Sequence, residues 1–427
     1  MGFSRHLQSW LLRRGSLQER WAGPGLMHLR DLFQTLYNNG LVKVLPRPIR
    51  AYLQQVDHRR RSSQVAYEQD LLRQIISEYN GVSPQIIFPP GLSWGKQLFQ
   101  RPQQIAVSLA RHGALVFYME EPLTHNSTPF QKVEERLFLC RVPIETFWVM
   151  NTPVVYTLTW MLSKYWMAID TPRLVYDYVD NLDTFVGNRF ELRRSHDRLL
   201  KRADVVLVTA QRLKSQVKDQ RPDAVYCPNG CDYRHFVQAR QPCSATPPDD
   251  IAAILALGKP VIGYYGALAN WFDADLLQRV AYQKPDFSFV LVGPDHEDFL
   301  RSSTLLAQPN IYWLGAKPYQ QLPDYLRCFD VAMIPFKLNE ITHATSPVKL
   351  FEYMAAEKPV VITPMQESMQ YPGVLVGANA IEFTTQIIEA LKLKQSPAYL
   401  ELLDQTALAN TWDMRGLQIL KILRNLA

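Results

Sequence analysis

Residues 346–363 read SPVKLFEYMAAEKPVVIT. Ser346 suits a helix N-cap and Pro347 the first helical position, which puts Lys349 at the third, N3. The run to Lys358 has helical character, and PVVIT then reads as a short apolar strand. Just upstream, DVAMIPF at 330–336 is another strand without alternation. Strand, helix and strand, with strands apolar throughout, is the pattern of a parallel sheet covered on both faces.

The same alternation extends outward in both directions. KPVIGYYG, a helix over 273–283, FSFVLVGP, NIYWLG and a helix over 319–328 precede the quoted stretch. Further upstream, QARQPCSATPPDD within 238–257 breaks the pattern with proline and polar residues, which marks a linker between domains. Before it lie QIIFPP from residue 85 and a helix at QRPQQIAVSLARHG, with Pro102 suited to its first position and Gly113 to its stop. ALVFYMEEP, RLVYDYVD, a helix over 188–202, ADVVLVTA and AVYCPNGCD follow. The expected fold class is α/β: two Rossmann-like domains, each with a parallel sheet, facing a cleft. The expected segments are a basic helical extension at 1–80, a first domain at 81–240, a linker at 241–257, a second domain at 258–405 and a closing helix at 406–427.

Charge singles out the extension. The chain has a formal net charge of +6; residues 1–80 hold 12 basic and 6 acidic residues, and the remainder holds 34 of each. Leu26, Leu29, Leu32, Phe33 and Leu36 recur at helical spacing, and Phe3, Leu7, Trp10, Leu11 and Trp21 are interleaved with arginines. Arg59–Arg61 adds a basic run. This composition suits an interfacial helix on an anionic membrane, or a solvated extension packed on the main body. Nucleic acid is not expected as a partner, because the rest of the chain supplies no matching basic groove. The start lacks the uninterrupted apolar core and cleavage site of a signal peptide. FWVMNTPVVYTLTWML at 147–162 is too short for a membrane span and contains Asn151 and Pro153; a helix from Pro153 to Ile169 is expected there, unusually aromatic.

Five cysteines in 427 residues do not make a disulfide framework, so a reducing compartment is the default. Cys227, Cys231 and His235 have suggestive spacing for a metal, but Pro228-Asn229-Gly230 marks a turn and no fourth ligand is evident, so no metal is expected.

Lys349 is the oddity of the opening stretch. A cation in the first turn of a helix opposes the helix dipole by about 0.3–1 kcal/mol. A bound phosphate reverses that sign, because backbone N–H groups and the ammonium would hold it together. Glu352, one turn on, would then reach a hydroxyl such as that of a ribose. The competing role is an exposed lysine at a fraying helix end.

These residues resemble a known family. The E-Y-M-A-A-x-K-P-V-V segment on two Rossmann-like domains is similar to GT-B glycosyltransferases of the group often termed family 4. The resemblance runs over about residues 85–425 and includes CPNGCDYRHF, GYYGALANWFD, FVLVGP, NIYWLGAKPYQQLPDYLRCFDVAMIPF and NTWDMR. Trp94 followed by Gln100-Arg101-Pro102-Gln103 resembles the opening of bacterial cell-surface polysaccharide transferases, including the teichuronic-acid type. The resemblance implies transfer of a sugar from a nucleoside-diphosphate sugar to a hydroxyl of a lipid-linked saccharide acceptor, without a cofactor or metal. It implies a cytoplasmic protein, peripheral on the inner membrane.

The site expected on this basis has Gly266, Asp273, Gly293, Ser346, Pro347, Lys349 and Glu352 around the donor. Trp94, Arg101 and Gln103 are expected at the acceptor or a phosphate. YDYVDNLDTF offers Asp177, Asp180 and Asp183 at a strand end; Asp180 is the expected base or acceptor contact, with Asp183 suited to a helix N-cap. Lys349 is the expected catalytic cation. Two departures stand against the family pattern: Ala344 occupies the place of its first glutamate, and the loop GALANWFDAD lacks its Arg and Lys. The alternatives are a noncatalytic nucleotide-sugar-binding partner of an assembly complex, and a nucleotide-sugar epimerase. A dehydrogenase is not expected, because no G-x-G-x-x-G follows the first strand.

Overall fold

The computed structural model describes residues 47–425 except 96–98, 121–127, 160–162, 170–171, 186–187, 242 and 244–246. The amphipathic readings over residues 3–36 lie outside the described residues. Residues 1–67 and 68–427 are two separate units. The first unit is helical from Arg47, where helix α1 (Arg47–Glu78) begins. The last turns of α1, from Glu68, belong to the second unit, where Leu72 and Tyr79 are core residues. The extension therefore ends near residue 67, earlier than the boundary at 80 expected from charge.

The second unit contains two sheets. The first has the order β3-β4-β2-β1-β5-β6-β7-β8. Its strands are β1 (Gln85–Phe88), β2 (Leu115–Met119), β3 (Phe130–Glu134), β4 (Leu137–Cys140), β5 (Val154–Leu158), β6 (Arg173–Tyr178), β7 (Val205–Val208) and β8 (Val225–Tyr226). All pairs are parallel except β3 with β4. Helices α2 (Arg101–Arg111), α3 (Arg189–Arg202) and α4 (Gln211–Val217) belong to this half. The expected helix over Pro153–Ile169 is not formed. Val154–Leu158 is the buried strand β5 between β1 and β6, and only Ser163–Met167 is helical. β-Branched Val154 and Val155 and the aromatic Tyr156, all buried in the sheet, favour the strand.

The second sheet has the order β11-β10-β9-β12-β13-β14, all parallel. Its strands are β9 (Val261–Tyr265), β10 (Ser288–Val292), β11 (Ile311–Trp313), β12 (Val331–Ile334), β13 (Val360–Ile362) and β14 (Val374–Val376). Strand order reverses between β9 and β12, which leaves a crevice at their carboxyl ends. Helix α5 (Ala274–Gln283) follows β9 and helix α6 (Val348–Ala355) joins β12 to β13. The linker region contains a short helix, Asp249–Leu255, and Cys243 is disulfide-bonded to Cys328. One pair makes no framework of the five cysteines, but a reducing compartment as default does not anticipate it; Cys140, Cys227 and Cys231 are free and buried.

Helix α7 (Trp412–Asn425) returns to the first half and lies on α2. Gly416 makes the approach possible, since a Cβ there would fall 2.1 Å from Ser108 Oγ. The two halves meet at the carboxyl ends of their strands. Gln104 of α2 donates to Tyr319 Oη, Asn229 donates to Ser346, and Glu367 accepts from the Gln211 N–H.

Candidate active site

The site grows from the quoted stretch. Ser346 is not a helix cap: its Oγ accepts the Asn229 N–H at 3.3 Å, and its carbonyl accepts Asn229 Nδ2 at 2.7 Å. Bound in this way, the chain stays extended through Pro347, and α6 starts at Val348 with Pro347 as N-cap. Lys349 is therefore the second helical residue rather than the third, and Pro347 precedes the helix instead of opening it. Its side chain runs over the end of β9, where a Cβ on Gly266 would meet Lys349 Cε at 2.9 Å. Gly266 and Gly293 both have positive φ, and a Cβ on Gly293 would lie 1.9 Å from the Gly266 carbonyl oxygen. These two glycines let the loops after β9 and β10 close against each other beneath the lysine.

The surroundings of Lys349 are unusual for a cation. Nζ lies 5.1 Å from the Phe336 ring centroid and 5.4 Å from that of Tyr264. Among the described residues it makes no hydrogen bond or ion pair. Burial lowers its pKa to about 8, against the opposing pull of Glu352. Glu352 is buried and accepts the Tyr265 hydroxyl at 2.7 Å on Oε2. Burial pushes its pKa up to about 7, although Tyr265 and Lys349 both favour the charged form. A lysine with a lowered pKa and no counter-ion, above two glycine loops at strand ends, is electrostatically suited to a bound anion.

On the opposite wall, β6 ends at Tyr178 and Asp180 follows. Asp180 is half-buried and has no hydrogen bond or ion pair among the described residues. Burial and neighbouring Asp177 push its carboxyl up to about 6, and Arg101 moderates the rise. Its two sequence neighbours are committed elsewhere. Asp177 is fully buried against Arg101 and Tyr156. Asp183 is exposed and faces Arg193 at 3.4 Å. Asp183 caps no helix: Asn181 caps the short turn at 182–184 and Asn188 caps α3.

Three expected contacts are otherwise engaged. Arg101 gives all five of its N–H groups to Asp177, Asn229 Oδ1 and the carbonyls of Cys227 and Pro228. It has no donor left for a phosphate. Gln103 is buried and closes a capping box with Gln100, while its amide donates to the Ser93 carbonyl. Trp94 packs edge-on against Phe99 and Tyr118, and its backbone N–H meets Glu120. Asp273 caps α5 through the Leu276 N–H, a role in holding the loop. His343 accepts the Gln366 N–H. Ala344 is fully buried in a core cluster of the first half, so no polar group stands there. Among the described residues no cluster of His, Cys, Asp or Glu could hold a metal.

Sequence reasoning missed Asn229 and Tyr265. Both touch an expected site residue directly, and the Asn-Gly in CPNGCD was the signal available for the first.

Residues 259–392 match the family described as glycosyl transferases group 1. A Bacillus subtilis protein described as a teichuronic acid biosynthesis glycosyltransferase, TuaH, is 29% identical over 234 residues. That match covers 52% of this chain and 57% of the relative's length. Sucrose-phosphate synthase from Thermosynechococcus elongatus superposes with a TM-score of 0.58 at 15% identity, over 80% of this chain and 99% of that one. Anabaena HepE in complex with UDP-glucose gives 0.57 at 17% identity, over 80% of this chain and 100% of that one.

Proposed function

From a chain that carries a group 1 glycosyltransferase domain on a GT-B frame, we propose that it is a glycosyltransferase using a nucleoside-diphosphate sugar. The observation that carries this reading is the unpaired Lys349 ammonium above Gly266 and Gly293, in a second sheet of nucleotide-binding topology. Transfer of a glycosyl group breaks the bond between the anomeric carbon and the diphosphate, and negative charge collects on the leaving phosphate. Lys349 and the backbone amides of the glycine loops stabilise that charge. Glu352 takes ribose hydroxyls. Asp180, unpaired and with its pKa raised to about 6 by burial, removes the acceptor hydroxyl proton. The arrangement asks for no metal, because the lysine supplies the positive charge.

The acceptor is a saccharide, lipid-linked, in cell-surface polysaccharide synthesis, and the basic segment before residue 68 brings the protein to an anionic membrane face. Among the described residues no helix is long and apolar enough to cross a membrane. A second reading, a noncatalytic nucleotide-sugar-binding partner, draws on buried Ala344 in place of a glutamate. The test is nucleoside-diphosphate release from a panel of UDP- and GDP-sugars with membrane extract as acceptor source. Turnover of one donor, lost in Lys349→Ala and Asp180→Asn, supports the transferase. Intact nucleotide binding with no turnover of any donor supports the partner.

A further inference from the structure

Arg101 touches neither the proposed donor nor the proposed base, yet it is the most heavily bonded side chain at the cleft. On one side its Nε and Nη2 hold both oxygens of Asp177 at 2.8 and 3.0 Å, and Tyr156 donates to Asp177 at 2.6 Å. Asp177 sits in β6, three residues before Asp180. On the other side Arg101 donates to the carbonyls of Cys227 and Pro228 and, at 3.1 Å, to Asn229 Oδ1. That last bond fixes which way the Asn229 amide points. With its oxygen toward the guanidinium, its NH2 faces the Ser346 carbonyl at 2.7 Å. Ser346 stands three residues before Lys349, and partly buried Val348 packs against the first half.

The turn at 227–230 does not need Arg101 to stay in place. Arg415 of α7 also donates to the Pro228 carbonyl at 3.0 Å, and Gly230 lies against the Thr411–Trp412 backbone. What Arg101 alone supplies is the link between this turn and Asp177. We propose that Arg101 is a positioning residue that sets the two walls of the cleft against each other, holding the end of β6 that carries Asp180 and, through Asn229 and Ser346, the start of α6 that carries Lys349. The proposal rests on the reading of Asp180 and Lys349 given above.

Lysine at position 101 keeps the charge but replaces a five-donor fork with a point cation, so Arg101→Lys isolates the geometry. Asn229→Asp keeps the acceptor toward Arg101 and removes the donor toward Ser346. Two readouts apply to the full chain. First, hydrogen exchange of residues 342–350 rises about tenfold in both variants, although Arg101 touches none of them. Second, turnover of the active donor falls about 10–100-fold, several times more than UDP affinity by calorimetry does, since turnover needs both Asp180 and Lys349 in place and the nucleotide meets Lys349 alone.

A third variant adds a pH signature. Asp180 is faced by Arg101 from α2 and by Asp177 and Tyr178 from β6. Arg101→Gln removes the cation that moderates its pKa, so the acid limb of turnover moves to higher pH. A residue that serves only the fold would lower the folded fraction without moving that limb.

Unchanged exchange at 342–350 in Arg101→Lys, with Asn229→Asp altered, overturns the coupling through Arg101. Should Arg101→Lys not fold, Asn229→Asp alone decides: unchanged exchange and turnover overturn the proposal. Asp180→Asn and Lys349→Ala run beside them. If those two keep full turnover, the functional reading fails; if they lose it and the Arg101 and Asn229 variants do not, only the coupling fails.

Discussion

Titration of UDP between pH 7 and pH 9 tests the role given to Lys349. In the free protein its pKa is lowered to about 8 by burial against Tyr264, Phe336 and the Gly266 loop, with no anion in hydrogen-bonding reach among the described residues. A bound diphosphate supplies that anion and returns the lysine to its ordinary range, about 10.4 or above. Binding then requires the protonated form. At pH 7 about nine-tenths of the free protein carries it, and at pH 9 about one-tenth. Affinity for UDP should accordingly fall about tenfold across that interval, equivalent to about 1.4 kcal/mol. The terminal phosphate of the nucleotide ionises near pH 6, so its own titration lies below this window. The sign can be checked independently, because complex formation takes up protons: about 0.1 at pH 7 and about 0.9 at pH 9. Calorimetry in buffers of different ionisation heat counts them. The same titration of Lys349→Ala should be weaker by about tenfold or more at pH 7, and its complex should take up no lysine proton at pH 9. Undiminished proton uptake at pH 9 in Lys349→Ala, or a wild type with none, would refute the assignment.

Three further outcomes follow from the same geometry. Lys349→Met should raise the stability of the ligand-free protein by about 1–3 kcal/mol at pH 7. The folded-state pKa lies below the unfolded one, so the penalty is full below about pH 8 and vanishes by about pH 10.5. Thermal melts at pH 7 and pH 10.5 check that the gain disappears. In Asp180→Asn turnover should fall about 10²–10⁴-fold, and the wild type should lose turnover as pH drops through about 6, read from kcat/KM against pH. Deleting residues 1–67 should leave the body folded and release the protein from anionic liposomes. Deleting 1–80 also removes Leu72 and Tyr79 from the core and should lower the melting temperature; equal melting of the two deletions would show that α1 has no structural share in the body.

Much of this architecture was legible because buried parallel strands read as unbroken apolar runs. β9, β10 and β12 are buried along their whole lengths, and β9 and β12 are each followed by turn residues and a helix. Where the environment is mixed, the pattern misleads. β3 carries Gln131, Lys132 and Glu134 on an exposed antiparallel edge, so its composition does not resemble its neighbours. β5 lies in the aromatic stretch expected as a helix over Pro153–Ile169, and its sheet neighbours decide its state. The Cys243–Cys328 pair spans 85 residues, and connectivity over such a distance leaves no local trace. The site divides along the same line. Lys349 and Arg101 both stand in the first turn of a helix and read alike in sequence. The fold separates them, by bringing Asp177, 76 residues away, against Arg101 and, among the described residues, no carboxylate within ion-pair reach of Lys349.

That separation bears on the gap in the family pattern. The resemblance places an Arg and a Lys after the first loop of the second domain, and this chain has GALANWFDAD there. Here positive charge comes to the same loop from the side, on a helix, with Nζ 3.2 Å from where a Gly266 Cβ would be. The relocation has two requirements that can be seen in the sequence. Position 266 must lack a side chain, since a Cβ would meet Lys349 Cε at 2.9 Å, and α6 must be held at a fixed height. The second requirement explains why Ser346 is bonded to Asn229 rather than capping its own helix. A capping Ser346 would turn its Oγ to its own helix and give up the Asn229 N–H, loosening the tie that holds the start of α6 to the first half. Substituting Gly266 by alanine should therefore displace the lysine and weaken UDP binding at pH 7 about as much as Lys349→Ala does, with no further loss in the double variant. Additive losses in that cycle would mean that the glycine and the lysine act on the nucleotide separately.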